Sequence, residues 1–133
     1  MSARFAIGVG ARRGVEARAL AALVRCVVEQ ARLAPQSCDM FTLQSKQDEP
    51  GLHEAANLLA MKLVFLPLDA LLARKDELMT RSPRVEAIIG VGSVAEAAAL
   101  AGAGPGGALL GPRVATERLT CAIARSGQGT TSS

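Results

Sequence analysis

The sequence predicts a three-layer α/β/α domain with a mixed, mostly parallel sheet of about five strands and a C-terminal hairpin. Short apolar stretches alternate with longer segments of helical period, in the order β-α-β-α-β-α-α-β-β. Parallel strands joined by helices form right-handed crossovers, and such crossovers place helices on the faces of the sheet. The 133 residues are long enough for one domain, expected over residues 1–125, and a polar, disordered tail is expected over residues 126–133.

The first half of the chain contains three predicted strands separated by two helices. Leu20, Leu23 and Val24 begin an apolar stripe with a period close to 3.6, and Pro35 stops the helix that carries it. The strands are expected over residues 4–9, 39–44 and 62–66, and the helices over residues 15–33 and 52–61.

The second half is predicted mainly from capping residues. Ser82 and Pro83 begin a short helix that Gly90 ends, although the apolar content of residues 85–89 also suits a strand. Ser93 and Glu96 form a capping box at the start of the next helix, which runs to about residue 103. The remaining elements are a short helix over residues 69–78 and two strands over residues 108–115 and 119–124, joined by a turn.

Composition excludes several classes of protein. The net charge of +3 is small, there is no Lys/Arg run, and Trp and Tyr are absent, so no nucleic-acid partner is expected. No apolar run approaches the roughly 20 residues of a membrane span, and no signal peptide is recognised, so the chain is expected to be cytoplasmic.

No metal site or cofactor is expected either. The three cysteines are widely spaced and there is one histidine, His53, so four close zinc ligands are not available. The cysteines are expected to be reduced, mostly buried thiols, and His53 to lie at the surface or at its boundary.

Two glycine-rich turns, at Gly8–Gly14 and Gly90–Glu96, each lead into an alanine-rich helix. Glycines at a helix start either allow a sharp turn or leave backbone N–H groups free to bind an anion, and the sequence does not separate the two. The second turn matches the spacing of a dinucleotide fingerprint. A dinucleotide site would need a strand before the turn and an acid after the next strand, and Glu117, the nearest acid, lies in a predicted turn.

The carboxyl ends of parallel strands meet at one edge of a sheet, where ligands of open α/β folds bind. Lys46 and Glu49 share a loop there, and they suit either carboxylate binding and acid–base chemistry or a solvated loop with a helix-capping acid. With the first turn, this edge is expected to collect Gly8, Gly10, Arg12, Arg13, Ser45, Lys46 and Glu49.

These motifs occur together in one known family. Residues 4–125 resemble the C-terminal domain of CbiG, above all its stand-alone form, the CobE type. The most specific part of the resemblance is the run Ser93-Val94-Ala95-Glu96-Ala97-Ala98-Ala99-Leu100. Full-length CbiG proteins open the δ-lactone of cobalt-precorrin-5A during cobalamin biosynthesis. The chain resembles only their final domain, so the resemblance does not carry that hydrolase activity over.

The resemblance implies a cytoplasmic protein of vitamin B12 biosynthesis that binds a corrinoid or precorrin and works with other enzymes of the pathway. Such ligands carry acetate and propionate carboxylates on an apolar ring, which Arg12, Arg13 and Lys46 would bind. Two alternatives stay open: hydrolysis or rearrangement of a macrocycle substituent, and a nucleotide-binding module. The substrate-binding glycines are expected to be Gly8, Gly10, Gly90 and Gly92, with Ser93, and the catalytic acids Glu49 and Glu96.

Overall fold

A computed structural model describes residues 4–127 as an α/β domain with helices on both faces of a six-stranded sheet. Of the tail predicted over residues 126–133, residues 128–133 lie outside the described residues, and the N–H of Ser126 donates to the carbonyl oxygen of Arg4. The strands are β1 (Phe5–Ala11), β2 (Cys38–Leu43), β3 (Leu63–Leu66), β4 (Ala108–Leu109), β5 (Val114–Ala115) and β6 (Leu119–Arg125). The helices are α1 (Ala17–Gln30), α2 (Pro50–Leu59), α3 (Leu68–Leu72), α4 (Pro83–Ile89) and α5 (Val94–Ala103).

The sheet is mixed and has the strand order β3-β2-β1-β6-β4. Strands β1, β2 and β3 are parallel, and the last long strand, β6, lies antiparallel beside β1. Both short strands, β4 and β5, pair with β6. The start of β6 therefore lies at the same edge of the sheet as the ends of β1 and β2.

The two faces of the sheet are packed differently. Large side chains of β1 and β2, such as Ile7 and Met40, meet α1 and α2. The opposite face is lined by alanines and receives α5, whose packing is so close that a Cβ on Gly8 would lie 1.9 Å from the carbonyl oxygen of Ala95. Gly8 therefore permits direct backbone contact between β1 and α5.

The predicted α/β class and the three-layer order are confirmed, and so is the short helix α4. Ser82 accepts a hydrogen bond from the N–H of Val85, Pro83 occupies the first turn, and Gly90 ends the helix with φ +99°. The strand alternative for residues 85–89 is wrong, because these caps provide partners at both ends of a helix.

Two elements in the second half of the chain differ most from the prediction. The strand expected over residues 108–115 is split into β4 and β5 around Gly111 and Pro112, because proline has no N–H to donate to a strand pair. The helix expected over residues 69–78 ends at Leu72 and is followed by a 3₁₀ turn at Lys75–Glu77. The hairpin at the C-terminus is present but is formed by the short β5 with β6.

Among residues 4–127, no single helix is long and apolar enough to span a membrane. Helices α4 and α5 reach the required length only as a pair, and they are bent by 62° at the break between them. The core-facing positions of α5 are occupied by buried alanines and Leu100.

Candidate functional site

A cavity of about 530 Å³ lies where β1 and β2 end and β6 begins. This size falls within the range of small-molecule sites. Its walls come from the ends of β1 and β2, from α4, from the first residue of α5 and from the turn between β5 and β6. The predicted location of the ligand at the carboxyl edge thus coincides with a cavity.

Cations dominate the polar lining of this cavity. Five basic side chains line it, against one acidic side chain, Glu117; the basic residues are Arg12, Lys46, Arg84, Arg113 and Arg118. They come from five different segments: after β1, after β2, in α4, before β5 and before β6. The cations therefore reach the cavity from separate parts of the chain and not from one helix or strand.

None of these five cations takes part in an ion pair within residues 4–127. The ion pairs of the described chain join Arg4 to Asp39, Arg74 to Glu77 and Arg81 to Glu86. Of the five cavity cations, only Arg118 donates a side-chain hydrogen bond to another described residue, from Nη2 to the carbonyl oxygen of Arg13 at 2.7 Å. The cavity thus offers positive charge and hydrogen-bond donors that the described residues leave unused.

The uncharged lining combines Ser and Thr hydroxyls with apolar residues, and α4 contributes three large apolar side chains to it. These are Val85, Ile88 and Ile89, and Val94 extends the apolar part at the start of α5. Ile88 is 75% exposed, an unusual position for a large aliphatic side chain. An apolar surface next to unpaired cations suits a ligand with an apolar body and an acidic periphery.

Three of the predicted binding residues line the cavity, and one predicted cation does not. Arg12 and Lys46 lie in its walls, and Gly10 forms part of its floor, where a Cβ would lie 2.6 Å from Thr120 Oγ1. Arg13 is exposed and is not part of the lining; its carbonyl oxygen is the acceptor for Arg118. Arg12 and Arg13 are neighbours in the chain, yet they do not share the cavity.

Of the two alternatives for the first glycine turn, free backbone N–H groups are not found at Arg12 and Gly14, nor at Val15 just after the turn. Glu49 Oε1 accepts hydrogen bonds from the N–H groups of Gly14 and Val15 at 3.1 and 3.2 Å, and the N–H of Arg12 donates to the carbonyl oxygen of Arg118. Glu49 thus ties the first turn to the start of α2, and it does not line the cavity.

The other predicted glycines serve the packing of the chain. Gly8 is covered by α5, and Gly90 ends α4 in a left-handed conformation. Gly92 is buried against Arg81, and Ser93 is buried as the N-cap of α5. None of these four residues is among those that line the cavity, so their predicted contact with substrate stays a prediction. The helix α4 before Gly90 takes the place of the strand that a dinucleotide fingerprint needs.

Glu96 has a different environment from the one predicted. Half of the expected capping box is present, because the N–H of Glu96 donates to Ser93 Oγ. The carboxylate, which is 0% exposed, accepts four hydrogen bonds from residues outside α5. Its partners are the N–H groups of Met79, Thr80 and Arg113 and the hydroxyl of Thr80, each at 2.8 Å. Glu96 does not line the cavity either, so its role as a catalytic acid or base, like that of Glu49, stays a prediction.

Groups suited to other chemistry lie away from the cavity. Burial raises the pKa of the Cys121 thiol to about 12 and also raises that of Cys38, so both favour the unreactive protonated form. The ring of His53 is exposed, packs on Phe65 and makes a hydrogen bond with the carbonyl oxygen of Gln47. In the described part of the chain, no group of three or more His, Cys, Asp or Glu side chains is arranged to hold a metal ion.

Sequence reasoning missed three of the five cations, Arg84, Arg113 and Arg118. A signal for Arg118 was available, because a strand that runs antiparallel to β1 must begin at the edge where β1 ends. Arg84 and Arg113 had no such signal, since their positions depend on how α4 and the loop before β5 fold back over the sheet.

Comparison with known proteins agrees with this description. Residues 5–124 match the family model described as "Cobalamin synthesis G C-terminus". Protein CobE of Sinorhizobium sp. is 30% identical over 123 residues, which span 92% of this chain and 80% of that protein.

Two solved structures are similar over nearly the whole chain. The crystal structure of CobE, a protein from the cobalamin (vitamin B12) biosynthetic pathway, has a TM-score of 0.86 and 34% identity, and the match covers 94% of this chain and 92% of that one. The cobalamin biosynthesis protein chiG from Agrobacterium tumefaciens str. C58 has a TM-score of 0.70 and 34% identity, with 93% and 98% of the two chains covered. The chain therefore belongs to the CbiG C-terminal family and is a cobalamin-biosynthesis protein of the CobE type.

Proposed function

We propose that this protein binds a corrinoid or precorrin intermediate in the cavity at the carboxyl edge of the sheet. It would hold the intermediate in the cytoplasm and present it to another enzyme of cobalamin biosynthesis. The pathway follows from the family, and the binding role is our inference from the cavity.

The observation that carries the proposal is the set of unpaired cations around the opening. Five basic side chains face a cavity with one acidic side chain, and none of them has an ion-pair partner in residues 4–127. Five cations gathered with a single acidic side chain repel each other, so the arrangement favours a bound anion. Arginine binds carboxylates through paired, charge-assisted hydrogen bonds, and four of the five cations are arginines.

The apolar wall narrows the class of anion. A small inorganic anion would gain nothing from Val85, Ile88 and Ile89, whereas a macrocycle would bury them. A tetrapyrrole-derived ring with several acetate and propionate groups matches both surfaces, because its carboxylates are spread around the ring and the cations come from five segments of the chain.

A titration with a corrin that has free carboxyl groups tests the proposal, with visible absorption as the readout. We expect binding that weakens as salt rises, because screening reduces the attraction between the cations and the carboxylates. A corrin of the same ring whose side chains are neutral amides should bind more weakly and with little salt dependence.

Charge variants locate the site. Arg12→Gln and Arg84→Gln should each weaken binding by about threefold, and the double variant by about tenfold, as expected for partly solvated charge pairs. Arg18→Gln is the matched control, since Arg18 is exposed on α1 and lies outside the cavity. Absence of a spectral change with wild-type protein at high micromolar corrin would refute the proposal, and equal losses in all three single variants would refute the location.

A further inference from the structure

We infer that Glu96 is a positioning residue that holds two walls of the cavity in place through hydrogen bonds to their backbones. This inference rests on the proposed function where it concerns ligand affinity. The geometry that supports it is independent of any ligand.

The carboxylate of Glu96 connects three parts of the chain. It belongs to α5, which is fixed against the sheet, and its oxygens divide between two other segments. Oε1 accepts hydrogen bonds from the N–H groups of Met79 and Thr80, which lie just before α4. Oε2 accepts one from the hydroxyl of Thr80 and one from the N–H of Arg113, which lies just before β5. One buried side chain therefore joins the segment that leads into α4 to the segment that leads into β5.

Both of these segments lead into cavity walls with little core packing of their own. Helix α4 has no buried residue, and both residues of β5 are exposed. A second tie holds the start of α4, where the N–H of Ser82 donates to the carbonyl oxygen of Gly92 at 2.8 Å. Because Ile89 is the only α4 side chain that packs on a core cluster, the hydrogen bonds at the bases of these walls contribute a large part of what holds them in place.

The substitution Glu96→Gln separates the two connections. A glutamine keeps one oxygen and replaces the other by an NH₂ group, which only donates. The arrangement with fewer conflicts keeps the oxygen on Met79 and Thr80 and turns the NH₂ toward Thr80 Oγ1, which can rotate to accept. The N–H of Arg113 then faces a donor and loses its partner, so the variant releases the β5 wall and retains the α4 wall.

Native-state hydrogen exchange of single amides, followed by NMR, measures this effect directly. In Glu96→Gln the exchange of the Arg113 amide should accelerate by at least about tenfold relative to the amide of Ile7, which reports on the core strand β1. The Met79 amide should change less. Thr80→Val is the matched control, because it removes only the hydroxyl contact with Oε2 and leaves the N–H of Arg113 bonded.

Ligand affinity provides the second measurement, with the free-acid corrin as the probe. Glu96→Gln should weaken binding by about tenfold, while Thr80→Val should stay within about threefold of wild type. Faster exchange at Arg113 with unchanged affinity would overturn the role of Glu96 in binding. Unchanged relative exchange at Arg113 would overturn the positioning role itself.

Wild-type protein keeps the inference falsifiable if Glu96→Gln does not fold. Its Arg113 amide should exchange far more slowly than in an unstructured peptide, and exchange at the peptide rate would overturn the inference. If wild-type protein fails to bind the corrin, the proposed function fails together with the affinity part of this inference, and the exchange data still decide the positioning role.

Discussion

The contact between β1 and α5 predicts that Gly8→Ala is strongly destabilising. The added Cβ would lie 1.9 Å from the carbonyl oxygen of Ala95 and 2.4 Å from the backbone nitrogen of Ala99, whereas ordinary contact begins at 3.4 Å. The helix would have to move away from the strand by about 1.5 Å, the difference between 3.4 and 1.9 Å. No change of rotamer relieves this contact, because the Cβ is fixed to the backbone of β1 and the atoms that it meets belong to the backbone of α5.

The cost follows from the packing that such a shift removes. Helix α5 covers its face of the sheet through small buried side chains, and every one of them would lose contact. Overpacking of a core costs about 1–3 kcal/mol, and a rigid backbone on both sides puts this site at the upper end of that range. Alanine also reduces the conformational entropy of the unfolded chain relative to glycine, and this stabilises the folded state by about 0.4–1 kcal/mol. We therefore expect a net loss of about 2–3 kcal/mol, or a Tm lower by roughly 10 °C for a chain of this size.

Urea and thermal unfolding followed by circular dichroism measure this loss. Gly111→Ala is the matched control, since a Cβ there meets nothing within 4 Å, and it should change the free energy of unfolding by less than about 1 kcal/mol. If the two variants change the free energy of unfolding by amounts that agree to within about 1 kcal/mol, the close approach of α5 to β1 is refuted. The position of Val94, the first residue of α5 and part of the cavity wall, is then refuted too.

Three further predictions concern thiols, a helix end and acid stability. A thiol reagent at pH 8 should modify only Cys26 in the native protein, because Cys38 and Cys121 are buried and have raised pKa values. All three cysteines should react in denaturant, and mass spectrometry counts the modified sites. Arg74→Gln should lower the free energy of unfolding by about 2 kcal/mol in urea, since the guanidinium donates to two carbonyl oxygens at the end of α5 and to that of Gly107 in the following loop. The hydrogen bond from Arg74 lowers the pKa of Glu77, so this contact stabilises the fold above the usual pKa of a glutamate and is lost as pH falls through the lowered value. At pH 7 the free energy of unfolding of the wild type should exceed that of Glu77→Gln by less than about 1 kcal/mol. Urea unfolding at acidic pH should show no difference between the two proteins.

The sequence alone determined the layers, the caps of α4 and the sheet edge at which the cavity lies. Helix α4 was predictable because Ser82, Pro83 and Gly90 act on groups within a few residues of themselves. Apolar periodicity is equally local, and it separated the first strands from the long helices, whereas α4 was identified by its caps. Because parallel strands must end at a common edge, Arg12 and Lys46 could be placed together before any coordinates were known.

The tertiary structure alone decided which groups share the cavity and which are used elsewhere. The partners of Glu96 are 16 and 17 residues away, and Glu49 reaches back 34 and 35 residues to the first turn. Gly8 suits a turn, an anion or a close helix equally well, and only the position of α5 selects among them. Long-range contacts depend on the order of strands and on the paths of loops, whereas periodicity and capping express contacts within one turn of chain. The pairing of β6 beside β1, over 100 residues apart in sequence, therefore brought Arg118 to Arg12 in a way that no local pattern encodes.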